Sequence, residues 1–149
     1  MAIEFSIVTD TATLAVFDLQ AIRHRVDDTF DWWSIQVDEI LEVNEGNIVF
    51  LNLGKDGRYK VKIMDSIIGP NGGVNLKFPS GRVFVGAGED TSGGGLEPDS
   101  SDAVQGQFIS LEAGYYYMTY KVEGEAICLA FVQSNISSNA FKDSIRVSV

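Results

Sequence analysis

The chain has 149 residues, of which 45% are hydrophobic and 21% charged, and its formal net charge at pH 7 is −10. This length suits one domain, and the composition is too apolar for a disordered protein. Binding to nucleic acid or to anionic membranes depends on basic side chains, and here 21 acidic residues face only 11 Lys and Arg. We therefore expect a single domain over residues 1–149 whose partner is neither nucleic acid nor a membrane.

The first 46 residues predict two strands followed by two short helices. Apolar residues alternate with polar ones through Ile3–Ile7 and Ala12–Phe17, which is the period of a half-buried strand. Asp18 can accept the backbone N–H groups at the start of a helical segment whose apolar residues recur at helical spacing. Ser34–Glu45 fits either a strand or a helix, and we favour a short helix that ends near Gly46.

The middle of the chain predicts two pairs of strands. Ile48–Leu53 and Arg58–Met64 flank an Asp-Gly turn, which is a strong signal for a β-hairpin. In the second of these strands the basic residues face outwards. Val74–Phe78 and Arg82–Val85 form a further pair, joined through Pro79–Gly81.

The last third of the chain continues in strands. Gln107–Leu111 is one strand, Tyr115–Val122 and Ala126–Gln133 pair as a hairpin, and Ile145–Val149 closes the chain in alternation. The pattern predicts an all-β fold with minor α content, made of nine or ten short strands and one or two short helices. Many short strands with frequent turn signals favour a β-sandwich or jelly-roll-like architecture.

The residue types needed for the common catalytic centres are scarce. His24 is the only histidine and lies between two arginines, and no serine occupies a nucleophile elbow. Cys128 is the only cysteine and lies in an apolar run, so we expect a buried structural thiol. We therefore predict a protein that is not an enzyme and that needs no metal or cofactor. Paired carboxylates that hydrolyse glycosides remain an open alternative.

The N-terminus carries no secretory signal, and no apolar run is long enough to cross a membrane. These features predict a cytoplasmic protein.

A loop over Gly86–Ala103 contains five glycines and five acids and no base. Its acids are Glu89, Asp90, Glu97, Asp99 and Asp102. The loop matches neither a Walker sequence nor a dinucleotide-binding motif, and its carboxylates would repel phosphate. Oxygen donors on a pliable segment suit Ca²⁺, although the EF-hand spacing is absent. We interpret the loop as an acidic surface for a cationic partner, with a calcium site and a plain solvated crossover as the alternatives.

A second acidic stretch carries adjacent tryptophans. Val26–Gly54 holds seven acids and no base, and Asp31, Trp32 and Trp33 lie within it. In a strand the two indoles would point to opposite faces, one into the core and one outwards. An exposed tryptophan among acids could contact a basic partner or stack on a sugar. We assign these three residues, together with the five acids of the loop, to a partner-binding surface.

Three stretches resemble a family of small bacterial cytoplasmic proteins of unknown function. They are Asp31–Trp33, the loop segments Gly86–Asp90 and Gly93–Pro98, and the hairpin that opens at Gly114 and Tyr115. That family is similar to immunity proteins encoded beside secreted toxins. The resemblance implies a protein that blocks the active cleft, or an adjacent surface, of a basic toxin.

Charge and resemblance lead to the same first hypothesis, a non-enzymatic immunity protein that binds a basic toxin through an acidic, aromatic-containing surface. The alternative is a carbohydrate- or calcium-binding β-sandwich module. A third hypothesis is an assembly protein that forms a homodimer through an exposed β edge.

Overall fold

The computed structural model describes residues 2–29, 31–99 and 104–147. Within them the chain forms ten strands in two five-stranded sheets and one α-helix. The strands are β1 (Ile3–Thr9), β2 (Thr13–Asp18), β3 (Ile48–Asn52), β4 (Gly57–Met64), β5 (Gly72–Phe78), β6 (Arg82–Ala87), β7 (Gly106–Ser110), β8 (Gly114–Glu123), β9 (Ala126–Ser134) and β10 (Ile145–Arg146). Helix α1 spans Gln36–Asn44, and 3₁₀ helices span Leu19–Arg25, Trp32–Ser34 and Gly88–Asp90.

The first sheet, which we call the outer sheet, has the strand order β1-β4-β9-β8-β5. β4 and β9 run parallel, and the other neighbours are antiparallel. Its strands alternate between buried and more exposed side chains, so one face packs on the core and the other faces solvent. Tyr116, Met118 and Tyr120 of β8 are buried, whereas Tyr115 and Tyr117 on its other face are exposed.

The second sheet, which we call the inner sheet, has the order β10-β3-β2-β6-β7. Every residue of β2 is buried, as are Ile48–Leu51 of β3 and Val83–Ala87 of β6. Strands that are buried on both faces require a layer of structure packed on each face of their sheet. The outer sheet covers one face, and α1 with the first two 3₁₀ helices packs on the inner sheet as a third layer. The sandwich fold is therefore confirmed, with a helical layer added to it.

The structure corrects both predicted pairs in the middle of the chain. β3 belongs to the inner sheet and β4 to the outer sheet, so the Asp-Gly turn between them is a crossover between sheets and not a hairpin. The same holds for β5 and β6. The hairpin of β8 and β9 is confirmed. No helix among the described residues is long and apolar enough to span a membrane.

Helical segments form where the sequence predicted them. α1 settles the ambiguity of Ser34–Glu45 in favour of a helix. Asp18 caps the first 3₁₀ helix by accepting the backbone N–H of Gln20 at 3.0 Å. The same buried carboxylate also accepts the N–H groups of Ser80 at 2.8 Å and Gly81 at 2.9 Å. Asp18 therefore fastens β2 to the turn that joins the two sheets between β5 and β6.

Cys128 differs from its predicted environment. Its thiol is half-buried rather than buried. The side chain follows the outward alternation of β9, where it lies in register with Lys62 of β4 and Lys121 of β8. The apolar run around it was misleading because the two neighbouring residues, Ile127 and Leu129, supply the core contacts.

Candidate protein-binding face

The tryptophan pair lies in a 3₁₀ turn and not in a strand. Successive residues of a 3₁₀ helix point about 120° apart, so both indoles can lean on the same sheet. Trp32 is only 1% exposed, and its indole N–H donates to the carbonyl of Ser92 at 2.7 Å. Trp33 is half-buried and stacks on Phe50 with the ring centroids 5.4 Å apart. The tryptophans do not lie in a strand, but the expected division between them holds, since Trp32 belongs to the core while Asp31 and Trp33 are the surface members of this group.

Two loop acids are tied into the fold. The Glu89 carboxylate accepts the hydroxyls of Thr9 at 2.7 Å and Thr11 at 2.8 Å, and also the backbone N–H of Asp10. Burial opposes ionisation, but these hydrogen bonds hold the pKa of Glu89 below its usual value. Asp90 accepts the N–H of Gln105 at 2.8 Å. Burial, aided by the charge of Glu89, raises the pKa of Asp90 despite that bond. Both residues anchor the loop to its surroundings.

The remaining loop acids lie nearer to solvent. Glu97 is within 3.4 Å of the Arg23 guanidinium in an exposed ion pair, and Asp99 is exposed. Asp102 falls outside the described residues. Two glycines that precede Glu97 contact the helical layer. The N–H groups of Gly94 and Gly95 donate to the carbonyls of Asp28 and Val26, each at 2.7 Å. The loop thus joins the tryptophan-bearing segment in one surface.

An arginine that the sequence reasoning did not single out lies beneath this surface. The Arg25 guanidinium donates to Glu42 at 2.7 Å, to Asp28 at 3.0 Å and to Asp38 at 3.3 Å. It also lies 4.9 Å from the centroid of Trp32, which is within range of a cation–π contact. Although burial opposes the charge, these carboxylates raise the pKa of Arg25. The available signal was the position of Arg25 immediately before a long stretch of acids without a base.

Glu42 is the buried centre of that cluster. Its carboxylate is 2% exposed, and it also contacts His24 Nε2 at 2.9 Å and accepts the Asn47 side-chain N–H at 2.7 Å. Burial by itself would raise the pKa of Glu42, but the hydrogen bonds from Asn47, Arg25 and His24 lower it. His24, considered as a catalytic residue from the sequence, is here a partner of Glu42.

A polar cleft of about 330 Å³ opens beside Trp33. Glu39 lines it and accepts the Ser144 hydroxyl at 2.7 Å, and burial raises the pKa of this glutamate although Ser144 and Arg146 oppose the rise. Within the described residues the Trp33 indole N–H is buried without an acceptor. A buried N–H group without an acceptor is stabilised when an acceptor forms a hydrogen bond with it.

The described part of the chain contains no group of three His, Cys, Asp or Glu side chains that could hold a metal ion.

Charge is distributed unequally over the two sides of the sandwich. Five bases occupy solvent-facing positions of the outer sheet, namely Arg58, Lys60, Lys62, Lys77 and Lys121. On the helical side Asp27, Asp31 and Glu45 are exposed, and none of the three forms an ion pair with the described residues. Two of these five bases are paired with acids of the same sheet, Lys60 with Glu4 at 3.1 Å and Lys121 with Glu123 at 2.9 Å. The helical side, by contrast, presents exposed acids without ion-pair partners among the described residues, and we call it the acidic helical face.

Fold and surface together define a two-sheet sandwich protein with an acidic helical face. Residues 1–147 match the model of a family of unknown function, DUF6386, and the chain belongs to that family. This confirms the part of the resemblance that concerned a family of unknown function.

Two solved structures share the fold. The first is described as crocagin biosynthetic gene J and is 16% identical, with a TM-score of 0.52 over 87% of this chain and 96% of the other. The second is ComJ from Bacillus subtilis, described as an inhibitor of the DNA-degrading activity of NucA. It is 10% identical, with a TM-score of 0.54 over 89% of this chain and 96% of ComJ. No curated protein matches the chain.

Proposed function

We propose that this chain is a non-enzymatic inhibitor that binds a basic protein in the bacterial cytoplasm, in the manner of an immunity protein. A toxin or nuclease that acts on an anionic substrate is the kind of partner that such an inhibitor would neutralise. The likeness of fold to ComJ, which is described as the inhibitor of a DNA-degrading protein, supports this class of function.

The observation that carries the proposal is the acidic helical face. Asp27, Asp31 and Glu45 are exposed on it without ion-pair partners among the described residues, and Arg23 and Arg25 of the same side are engaged by other acids. Unpaired surface carboxylates attract a cationic protein over distances set by the salt concentration. An enzyme that binds a polyanion presents a cationic cleft, so an acidic inhibitor can compete for that cleft.

The test starts from the bacterium that encodes the chain. A tagged copy is cross-linked in cells, the attached protein is identified and then produced separately, and its activity is titrated with the purified chain. We expect a basic protein that is inhibited at a stoichiometric ratio. An acidic partner, or chemical turnover of the partner's substrate by this chain, would contradict the proposal.

Charge-neutral variants test the role of the acidic face. Combining Asp27→Asn, Asp31→Asn and Glu45→Gln should slow association about tenfold at low salt and flatten its salt dependence. The matched control combines Asp56→Asn, Glu112→Gln and Glu125→Gln, which changes the net charge equally at exposed positions elsewhere. If both triple variants associate at the same rate, the helical face does not steer the partner.

The carbohydrate alternative keeps one supporting observation. Tyr115 and Tyr117 are 46% and 42% exposed on neighbouring positions of the same face of β8, and Tyr117 lies over Gly73, where an added Cβ would meet its hydroxyl. Exposed rings held against a sheet can stack on sugars. Calorimetry with a glycan panel should show heat that is lost on Tyr117→Ala if this alternative is correct.

A further inference from the structure

We infer that a groove along α1 receives an apolar side chain of the basic partner, and that Val37 and Leu41 are its principal contacts. The inference is based on a groove with aliphatic side chains on the exposed face of α1, beside acids of the helical side. This inference rests on the proposed function, since it names the place and the chemistry of the same binding event.

Of the apolar side chains of α1 only Val43 is fully buried, and it lies beside two buried glutamates. A helix packed on a protein core normally buries its apolar stripe and exposes its charges. In α1 the buried residues include Glu39, 7% exposed, and Glu42, 2% exposed, while Val37 is 79% exposed and Leu41 48% exposed. Ile35, directly before the helix, is 53% exposed. The fold gains nothing from displaying three large aliphatic side chains within seven residues, whereas a binding surface does.

The exposed side chains border a defined cavity. It has a volume of about 560 Å³ and lies between α1 and the C-terminal segment, lined by Gln36, Val37, Ile40, Leu41, Asn44, Lys142 and Asp143. That volume lies within the range of sites that hold small molecules or anchor side chains.

Both walls of the groove are fixed in place. The Gln36 side chain donates to Asp143 at 3.1 Å near the start of the helix. At its end the Asn44 side chain donates to the carbonyl of Phe141 at 3.0 Å and accepts the Phe141 N–H at 2.8 Å. A groove that is held open in the free protein costs a partner little ordering when it binds.

The charges around the groove select the kind of partner. Asp143 and Lys142 are the acid and the base in its lining, and exposed Glu45 directly follows α1, whereas Glu39 and Glu42 lie on the buried side of the helix. The groove therefore suits an aliphatic or aromatic side chain flanked by Lys or Arg on the partner. Interfaces commonly combine such an apolar anchor with a charged rim.

The substitution Val37→Asp separates the apolar contact from the electrostatic one. Asp is favourable in the first turn of a helix, so the fold should be retained. The added negative charge would by itself strengthen attraction to a basic partner. Loss of binding would then report the apolar contact. We expect an affinity about 30-fold weaker for the recombinant partner recovered with the wild-type chain, the size of effect typical of a hot-spot residue.

The matched control is Val132→Asp, at a valine that is 58% exposed on the outer sheet, and it should bind like the wild-type chain. A photo-crosslinking amino acid at position 37, but not at position 132, should become attached to the partner. Thermal melting of each variant establishes that it is folded.

The outcomes distinguish the two proposals. If the wild-type chain inhibits its basic partner and Val37→Asp inhibits equally well, this inference fails while the proposed function stands. If the wild-type chain binds no basic protein, the proposed function fails and the inference falls with it. If sedimentation shows a dimer that Val37→Asp converts to monomers, a second copy of the chain covers the groove and the inference is overturned.

Discussion

At the scale of single residues, two glutamates three positions apart on α1 have opposite electrostatic situations. Glu42 is surrounded by donors, and the hydrogen bonds from Asn47, Arg25 and His24 lower its pKa in spite of burial. Glu39 has one hydroxyl donor, and its burial raises its pKa. The ionised form is therefore favoured at position 42 by folding and disfavoured at position 39.

The two residues should contribute to stability with opposite dependence on pH. The contribution of Glu42 is present at neutral pH and is lost as the pH falls below about 4.5 through its lowered folded pKa. Glu42→Gln should reduce the free energy of unfolding by about 2 kcal/mol at pH 7, because a buried charge cluster loses its anion. Ionised Glu39 costs stability at neutral pH, so Glu39→Gln should raise the free energy of unfolding by about 1 kcal/mol.

Urea unfolding of the three proteins across a pH series measures this. The Glu39→Gln difference should become small once the pH falls below about 4.3, the ordinary glutamate pKa, whereas the Glu42→Gln difference should persist until the pH has also fallen through the lowered folded pKa of Glu42. The assignment is wrong if the Glu42→Gln difference grows on acidification, or if Glu39→Gln destabilises the protein at neutral pH.

At the scale of elements, the strands themselves were predictable, but of the predicted pairs only the β8–β9 hairpin was correct. Alternation and turn residues identify Ile48–Leu53 and Arg58–Met64, but a tight turn can join two strands of one sheet or cross between sheets. The usable signal was the kind of apolar pattern. β3 is continuously apolar and β4 alternates, and a strand buried on both faces belongs to a different sheet from one that faces solvent.

The exposure of Val37 and Leu41 and the burial of Glu39 and Glu42 in α1 were not predicted, for a related reason. Helical periodicity marks an apolar stripe on α1, and the usual inference places that stripe in the core. The inner sheet instead meets glutamates that find donors in residues distant along the chain, namely Arg25 and Ser144. Such long-range partners leave no trace in local sequence patterns.

Asn139 joins β5 to α1 and protects the free edge of β5. Its side chain pairs with β5 as a short strand would, since it accepts the N–H of Asn75 at 2.9 Å and donates to the carbonyl of Asn75 at 2.8 Å. It also donates to the carbonyl of Val43 in α1 at 2.8 Å. An edge strand without such cover offers its backbone to other chains.

Asn139→Ala should therefore lower the free energy of unfolding by about 3 kcal/mol, because several backbone groups lose their hydrogen-bond partner together. The measurement is chemical denaturation followed by circular dichroism, and light scattering on warming should show earlier aggregation. Asn135→Ala, at an exposed position in the same segment, is the control and should be close to wild-type. Equal stability of the two variants would remove the edge-protection role.

At the scale of the whole molecule, one continuous core connects both sheets with the helical layer. The cluster of buried apolar residues includes Ile63 and Met118 of the outer sheet, Phe50 and Val85 of the inner sheet, and Trp32 of the helical layer. A shared core of this kind couples the layers energetically, which is what the prediction of a single domain over residues 1–149 requires.

We accordingly expect one cooperative unfolding transition. Tryptophan fluorescence reports the helical layer through Trp32 and Trp33, and far-ultraviolet circular dichroism reports both sheets, so the two midpoints in urea should coincide. As an internal comparison, near-ultraviolet dichroism follows the tyrosines of β8 in the outer sheet. Midpoints that separate would mean that the helical layer unfolds independently, contrary to the single-domain prediction.

The candidate site was predictable only at this largest scale. Counts of acids and bases indicated an acidic surface, and the structure places exposed acids on the helical face. The individual binding residues were harder to predict. Glu89 and Trp32 stabilise the fold instead, through hydrogen bonds with Thr9 and Thr11 and with Ser92 respectively. A count of charges carries no information about which carboxylate meets a donor from its own chain.

The exposed carboxylates of Asp27, Asp31 and Glu45 give the helical side a negative local potential. In the field of a cationic partner that potential exerts a torque on the molecule, which turns the helical side forward before the two surfaces touch. Collisions would then be productive more often than random orientation allows.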